Sequence, residues 1–104
     1  MKYKGTQIIA YYVNLAKKGT IKTVDIIMTD LNPKMTIAES KFIDYALGHV
    51  TSKEGFKRME HYLFKGTIIQ RNYCALYFSR IEEWPIVKKA YEMGFIDGRQ
   101  AFSR

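Results

Sequence analysis

The sequence predicts an all-α fold, a compact single-domain bundle of six to seven short helices around a central apolar helix at about residues 67–79. Three observations predict this class. Apolar residues recur at spacings of three and four, which is the period of an amphipathic helix. Capping residues and glycines separate these apolar segments. The segment 67–79 is apolar nearly all round a helical wheel, which is typical of a helix inside a bundle.

The first two predicted helices are divided by a Gly-Thr pair. Thr6 is placed to cap a helix that runs through Ala16, and Gly19 supplies the left-handed residue that ends it. Thr20 restarts the chain, and the apolar residues up to Leu31 again follow helical spacing. β-Branched residues make a strand over 22–28 a competing interpretation. We predict a helix here.

The remaining helices are predicted from their caps. Thr36-x-x-Glu39, Thr51-x-x-Glu54 and Thr67-x-x-Gln70 each match a capping box, in which two side chains satisfy free backbone N–H groups. Gly48 and Gly66 end the first two of these helices. The run 82–85, Glu-Glu-Trp-Pro, predicts the start of a helix that Gly94 ends, and Asp97 predicts a short tail helix. No linker-like segment divides the chain, so we expect one helical domain over residues 1–104.

Charge and composition limit the classes of function. The chain has 17 Lys and Arg against 10 Asp and Glu, a formal charge of +7, which favours nucleic acid or an acidic protein as the partner. One cysteine cannot form an intramolecular disulfide, which is typical of a reducing compartment. The N-terminal apolar run is too short and too polar for a membrane span. We therefore expect a cytoplasmic protein with no membrane partner.

The residues that commonly carry catalysis or hold metals are widely spaced. His49, His61 and Cys74 stand twelve or thirteen residues apart, with no second ligand one helical turn away. No glycine-rich loop has the spacing that cradles phosphate, and nothing places a base beside Cys74. We expect no enzymatic activity, no metal and no cofactor.

The segment 53–79 is similar to a helix-turn-helix motif. A basic helix is followed by a tight turn at Gly66 and by a second helix with polar residues in its first turn. In such motifs the first helix contacts phosphates and the start of the second helix reaches base edges, for which Gln, Arg and Asn have suitable groups. The predicted phosphate contacts are Lys53, Lys57, Arg58 and Lys65, and the predicted base contacts are Gln70, Arg71 and Asn72. These assignments predict DNA or RNA binding, assisted by the basic residues 1–24.

The packing pattern of this segment departs from that motif at two positions. Four residues before the turn glycine a small residue is expected, and Tyr62 stands there; six residues after it an apolar residue is expected, and Asn72 stands there. An ordinary corner between two helices, with a solvated basic face, is therefore the competing interpretation.

The alternative function is a small regulator or inhibitor that docks on an acidic protein. Tyr and Trp beside basic residues are typical of binding hot spots, and we expect Tyr77 and Trp84 to contact such a partner. Each of them also fits core packing. The sequence is compatible with both a monomer and a homodimer, since the apolar helix 67–79 can be buried within one chain or shared between two copies.

Overall fold

The computed structural model describes residues 5–102. Over these residues the chain forms seven α-helices and no strand, which confirms the all-α prediction. The helices are α1 (Gly5–Lys18), α2 (Ile21–Asp30), α3 (Ile37–Leu47), α4 (Lys53–Lys65), α5 (Ile68–Arg80), α6 (Trp84–Glu92) and α7 (Gly98–Phe102).

The segment with the ambiguous pattern is the helix α2. Thr20 caps it by accepting a hydrogen bond from the backbone N–H of Thr23, and the Thr23 hydroxyl in turn accepts from the N–H of Thr20. Val24, Ile27 and Met28 are buried on one side. A helix therefore forms in spite of the β-branched residues, because its cap and its buried stripe both suit helical spacing.

Of the four predicted threonine caps, two are present and two are not. Thr36 and Thr67 form the predicted capping boxes with Glu39 and Gln70. The prediction that Thr6 caps α1 is wrong, because the helix already includes Gly5 and Thr6 therefore lies within it. The Thr51 prediction is also wrong: α4 begins at Lys53, and the residue before it, Ser52, accepts the N–H of Gly55 at 3.0 Å.

Two glycines are required by the backbone at helix ends. Gly19 has a φ of 58°, a left-handed conformation that ends α1. Gly66 ends α4 without a positive φ; a Cβ atom at this position would lie 2.5 Å from the carbonyl oxygen of Tyr62. The second position therefore needs glycine for close backbone approach, rather than for a left-handed turn.

The chain divides into two compact units, Met1–Arg58 and Met59–Arg104. In the first unit α1 packs against both α2 and α3, and in the second α5, α6 and α7 pack against one another. Helix α4 begins in the first unit and ends in the second. The predicted single domain over residues 1–104 stays a prediction.

The predicted apolar helix is α5, displaced by one residue from the range 67–79. Ala75 is buried, and so are Cys74 and Phe78 on another side of the helix. Side chains of α5 are thus buried on more than one side, but Ile68, at the start of the helix, is exposed.

Candidate nucleic-acid interface

The basic residues of the first predicted helix differ in their surroundings. Lys53 and Lys57 are exposed and lie one helical turn apart on α4. Arg58 is only partly exposed, because its Nε donates to Asp25 Oδ1 at 2.7 Å and its Nη2 donates to Asp25 Oδ2 at 3.1 Å. A two-pronged ion pair of this kind fixes the guanidinium and neutralises its charge. The expectation that Arg58 lies on an open basic face is therefore wrong.

The first turn of α5 does not present the predicted base-reading side chains together. Gln70 folds back, and its Oε1 accepts the backbone N–H of Thr67 at 2.8 Å, which completes the capping box. Ile68, at 79% exposure, is the most exposed large apolar residue at this corner. Base edges need polar groups that can reach them. The start of α5 thus exposes an aliphatic side chain where the motif needs a hydrogen-bonding one.

Arg71 is directed to an aromatic ring of its own unit. Its guanidinium carbon lies 5.2 Å from the centroid of Phe95, and its Nη1 donates a long hydrogen bond of 3.5 Å to the Phe95 carbonyl oxygen. Its Nε is buried without a hydrogen-bond partner. The cation–π contact holds the Arg71 guanidinium against the ring rather than openly off the helix, and its predicted base contact stays a prediction. Asn72 is half-buried and Lys65 is exposed; their predicted roles stay predictions.

A different basic surface is built in the first unit, where two helix corners are joined. The Ser52 hydroxyl, before α4, donates a 2.6 Å hydrogen bond to the carbonyl oxygen of Gly19, between α1 and α2. The backbone N–H of Ile21, at the start of α2, donates to Glu54 Oε2 at 2.6 Å. These two bonds span 33 residues each. They hold the α1–α2 corner against the start of α4.

The joined corners carry five exposed lysines, which we call the basic corner. These are Lys17 and Lys18 at the end of α1, Lys22 in the first turn of α2, and Lys53 and Lys57 on α4. No carboxylate among residues 5–102 is ion-paired with any of them. Glu54, the acid between Lys53 and Lys57, is turned to the N-terminus of α2, where a negative charge is favourable. The basic corner, with five lysines and Glu54, therefore has a net positive charge.

The basic corner is bounded on one side by a groove along α2. The groove has a volume of ≈ 660 Å³ and is lined partly by Ile21, Ile26 and three carboxylates. Those carboxylates are Asp25, Asp30 and Glu54. Each is engaged: Asp25 with Arg58, Asp30 with the hydroxyl of Tyr12 at 2.8 Å, and Glu54 with Ile21. Lys22 of the basic corner also lines the groove, beside Asp30 and Glu54, so an anionic ligand is favoured at the four lysines that do not line it.

Sequence reasoning missed Ser52 and Glu54 as the residues that assemble this surface. Both were within a predicted cap, but Ser52 caps α4 in place of Thr51, and Glu54 caps a helix 33 residues earlier in the chain. The basic character of the segment 1–24 is evident from the sequence. The run Lys17-Lys18-Gly19-Thr20 was the available signal for a corner, but no local pattern identifies the segment it meets.

The predicted partner-binding aromatic residues are not both accessible. Tyr77 is 3% exposed, so the prediction that it belongs to an exposed hot spot is wrong. Burial is also the main reason that its pKa is raised to about 12, with smaller effects from Cys74 and Glu83. Trp84 is half-buried at the first position of α6. Its predicted contact with a partner stays a prediction.

Catalytic and metal-binding groups do not converge in the structure. Cys74 is fully buried, and this burial raises the pKa of its thiol well above the ordinary value, so the thiolate nucleophile is disfavoured. Among the described residues, no group of three His, Cys, Asp or Glu side chains is placed to hold a metal ion. In the same part of the chain, no helix combines the length and apolar character needed to cross a membrane.

Comparisons with protein-family models, with curated proteins and with solved structures found no match for this chain.

Proposed function

We propose that the protein binds nucleic acid through the basic corner, mainly by contacts to phosphates. The observation that carries the proposal is the hydrogen bond from Ser52 to Gly19, which brings lysines from α1 and α2 to those at the start of α4. Phosphate contacts supply most of the affinity of proteins that bind nucleic acid without reading its sequence. Because Gln70 caps α5 and Arg71 packs on Phe95, little base discrimination is expected.

Two matched triple variants test the location of this surface. The first changes three residues of the basic corner to Gln: Lys17, Lys18 and Lys53. The second changes three exposed lysines elsewhere: Lys34, Lys41 and Lys88. Both variants lower the net charge by the same amount, so a general effect of charge acts on them equally. Circular dichroism checks that both stay helical.

Fluorescence anisotropy of labelled duplex DNA, titrated at several salt concentrations, measures how many phosphates the protein neutralises. For duplex DNA the plot of log K against log salt has a negative slope. Its magnitude decreases by about 0.9 for each phosphate that a variant no longer neutralises. We expect the corner variant to have a slope smaller by roughly 2 to 3 units, and the control variant to keep the slope of the unmodified protein. Equal slopes in the two variants, or no binding by the unmodified protein at low salt, overturn the proposal.

A second candidate function is docking on an acidic protein through α3. Ile37, Lys41 and Tyr45 follow one another at spacings of four, so they share a face of the helix; Ile37 is 77% exposed and Tyr45 is 59% exposed. This stripe has one aliphatic, one cationic and one aromatic side chain. It complements a partner surface that has an apolar patch bordered by acidic residues. This surface replaces Tyr77 in the alternative that the sequence predicts.

Photo-crosslinking tests this second candidate. A photoreactive amino acid in place of Tyr45 is expected to form adducts with acidic proteins, and Lys41→Glu should remove them because it reverses the central charge. Adducts that persist in Lys41→Glu, or adducts with basic proteins alone, count against charge-complementary docking.

A further inference from the structure

In the second unit two neighbouring aromatic rings each carry a cation, and we call these four side chains the aromatic–cation cluster. The rings of Phe64 on α4 and Phe95 after α6 meet edge to face, with centroids 5.8 Å apart. The Arg71 guanidinium lies over the Phe95 ring at 5.2 Å, and the Lys89 ammonium lies over the Phe64 ring at 5.7 Å. The order in space is therefore Lys89, Phe64, Phe95, Arg71.

The positive charge of this cluster is not compensated by an acid. In the described part of the chain no carboxylate is ion-paired with Arg71 or Lys89, although Glu92 follows Lys89 by one helical turn. Arg71 makes one long hydrogen bond, to the Phe95 carbonyl oxygen, and leaves most of its donors to other groups. Lys65, exposed and adjacent in sequence to Phe64, adds a further cation.

Aromatic faces beside uncompensated cations match the chemistry of single-stranded nucleic acid. Unpaired bases stack on aromatic rings while phosphates contact Lys and Arg nearby. We propose that the aromatic–cation cluster binds single-stranded DNA or RNA, with a base stacked on Phe64 and with phosphates contacted by Lys65, Arg71 and Lys89. The proposal rests on the proposed function and adds to it a preference for single strands.

A base stacked on the Phe64 ring interacts more strongly with it than the Lys89 ammonium does, so replacement of Lys89 by a base is favoured. An exposed cation–π contact changes an equilibrium by about two- to fivefold, and a base stacked on an aromatic ring changes it by about five- to 150-fold. Lys89 is exposed, so its side chain can leave the Phe64 ring and turn to an adjacent phosphate.

A duplex does not gain the same affinity from stacking on Phe64. Its bases are already stacked on their neighbours within the helix, and its phosphates alone are available to the cluster. The stacking contribution is therefore restricted to single strands, and the ratio of the two affinities measures it.

The first test compares single-stranded DNA and RNA of one mixed sequence with the duplex of that sequence, by anisotropy at one salt concentration. Phe64→Leu keeps an apolar side chain but removes the aromatic face. We expect it to weaken single-strand binding by about fivefold or more while duplex binding changes by less than about twofold. Phe64→Tyr, which keeps an aromatic face, should retain the preference. Tyr45→Leu on α3 is the control for removal of an aromatic residue elsewhere in the chain.

A second measurement uses the unmodified protein and so does not depend on the stability of a variant. In NMR spectra the ring protons of Phe64 should move upfield when a single strand is added, because a stacked base shields them, and should stay in place when duplex is added. Unmoved ring resonances, or an unchanged affinity ratio in a helical Phe64→Leu protein, overturn the role of the cluster.

The two proposals fail in different ways. If the unmodified protein binds neither form at low salt, nucleic-acid binding itself is wrong and the single-strand preference falls with it. If binding depends on the basic corner but the affinity ratio is insensitive to Phe64→Leu, the proposed function stands and the aromatic–cation cluster has no part in it.

Discussion

The hydroxyl of Ser52 donates a hydrogen bond of 2.6 Å to the carbonyl oxygen of Gly19, and its oxygen accepts the N–H of Gly55 at 3.0 Å. One side chain therefore both caps α4 and attaches the α1–α2 corner to it. The carbonyl of Gly19 belongs to a buried residue, so loss of its donor is unfavourable. The stability of the basic corner depends on this serine.

Ser52→Ala should lower the free energy of unfolding by about 1 to 2 kcal/mol, since it removes a helix cap and a hydrogen bond to a buried residue. Urea denaturation measures the change. Thr51→Ala is the matched control, because the sequence pattern assigns the cap to Thr51 and the structure assigns it to Ser52. A larger loss of stability for Thr51→Ala than for Ser52→Ala would show that the cap belongs to Thr51 after all.

Gly19→Ala should destabilise the protein more than Gly94→Ala. Both glycines have a positive φ, 58° and 81°, which is unfavourable for alanine by roughly 1 to 2 kcal/mol. A Cβ atom at Gly19 would also overlap Ser52 Oγ, whereas one at Gly94 would have nothing within 4 Å. Urea denaturation measures the loss in the free energy of unfolding for each variant. The difference between the two losses is the cost of the overlap with Ser52. Equal losses of stability would mean that Ser52 moves away without cost.

Tyr77→Ala should destabilise the protein by about 3 to 5 kcal/mol, because the ring is buried and its removal leaves a cavity. Tyr77→Phe keeps the ring and should be much less damaging. The raised pKa has a consequence at alkaline pH. The neutral phenol is favoured in the folded state, so its contribution is complete below the ordinary pKa of about 10 and is lost as the pH rises toward about 12.

Denaturation between neutral and alkaline pH checks this dependence on Tyr77. The unmodified protein should become less stable above about pH 10, and Tyr77→Phe should change less over the same interval. If Tyr77→Ala unfolds at the same urea concentration as the unmodified protein, the side chain is not part of the core and its partner-binding role returns to consideration.

Glu39 gives a prediction for acid pH. Its pKa is lowered because the carboxylate accepts hydrogen bonds from the backbone N–H of Thr36, at 2.9 Å, and from the Thr36 hydroxyl, at 3.1 Å. A lowered pKa means that the stabilisation is complete above the ordinary pKa of the group and is lost as the pH falls through the lowered value. Glu39→Gln, which still accepts hydrogen bonds, should show a weaker dependence of stability on pH below about 4.5. Identical acid profiles would contradict the assignment.

The features that were predictable from the sequence are those made within one helical turn. The Thr36–Glu39 and Thr67–Gln70 boxes join residues three apart, so the pattern contains both partners. The basic corner and the position of Arg71 are different. Ser52 reaches Gly19 across 33 residues and Arg71 reaches Phe95 across 24, and no local period identifies such partners.

This difference also explains the outcome of the helix-turn-helix prediction. Its two helices and its turn are present, but three of its seven predicted contact residues, Arg58, Gln70 and Arg71, make contacts within the chain. The turn at Gly66 and the two helices are set by local signals. Whether a polar side chain points to solvent depends on what packs beside it, and for Arg58 and Arg71 those neighbours come from distant segments.

Arg58 and Lys57 are adjacent on α4, and the proposed function makes opposite predictions for them. Lys57 is exposed and has no ion-pair partner in residues 5–102, so it can exchange counterions for a phosphate. The Arg58 charge is already balanced by both carboxylate oxygens of Asp25. Lys57→Gln should therefore lower the salt slope of duplex binding by about 0.9.

The double variant Asp25→Asn with Arg58→Gln removes the ion pair as a unit and leaves the net charge unchanged. We expect its salt slope to equal that of the unmodified protein, and its stability to fall by about 1 kcal/mol or less, since the pair is partly exposed. Because each single variant would leave an unpaired charge beside the basic corner, only the double variant separates a structural Arg58 from a phosphate contact. A slope lowered by the double variant as much as by Lys57→Gln would restore Arg58 to the nucleic-acid interface.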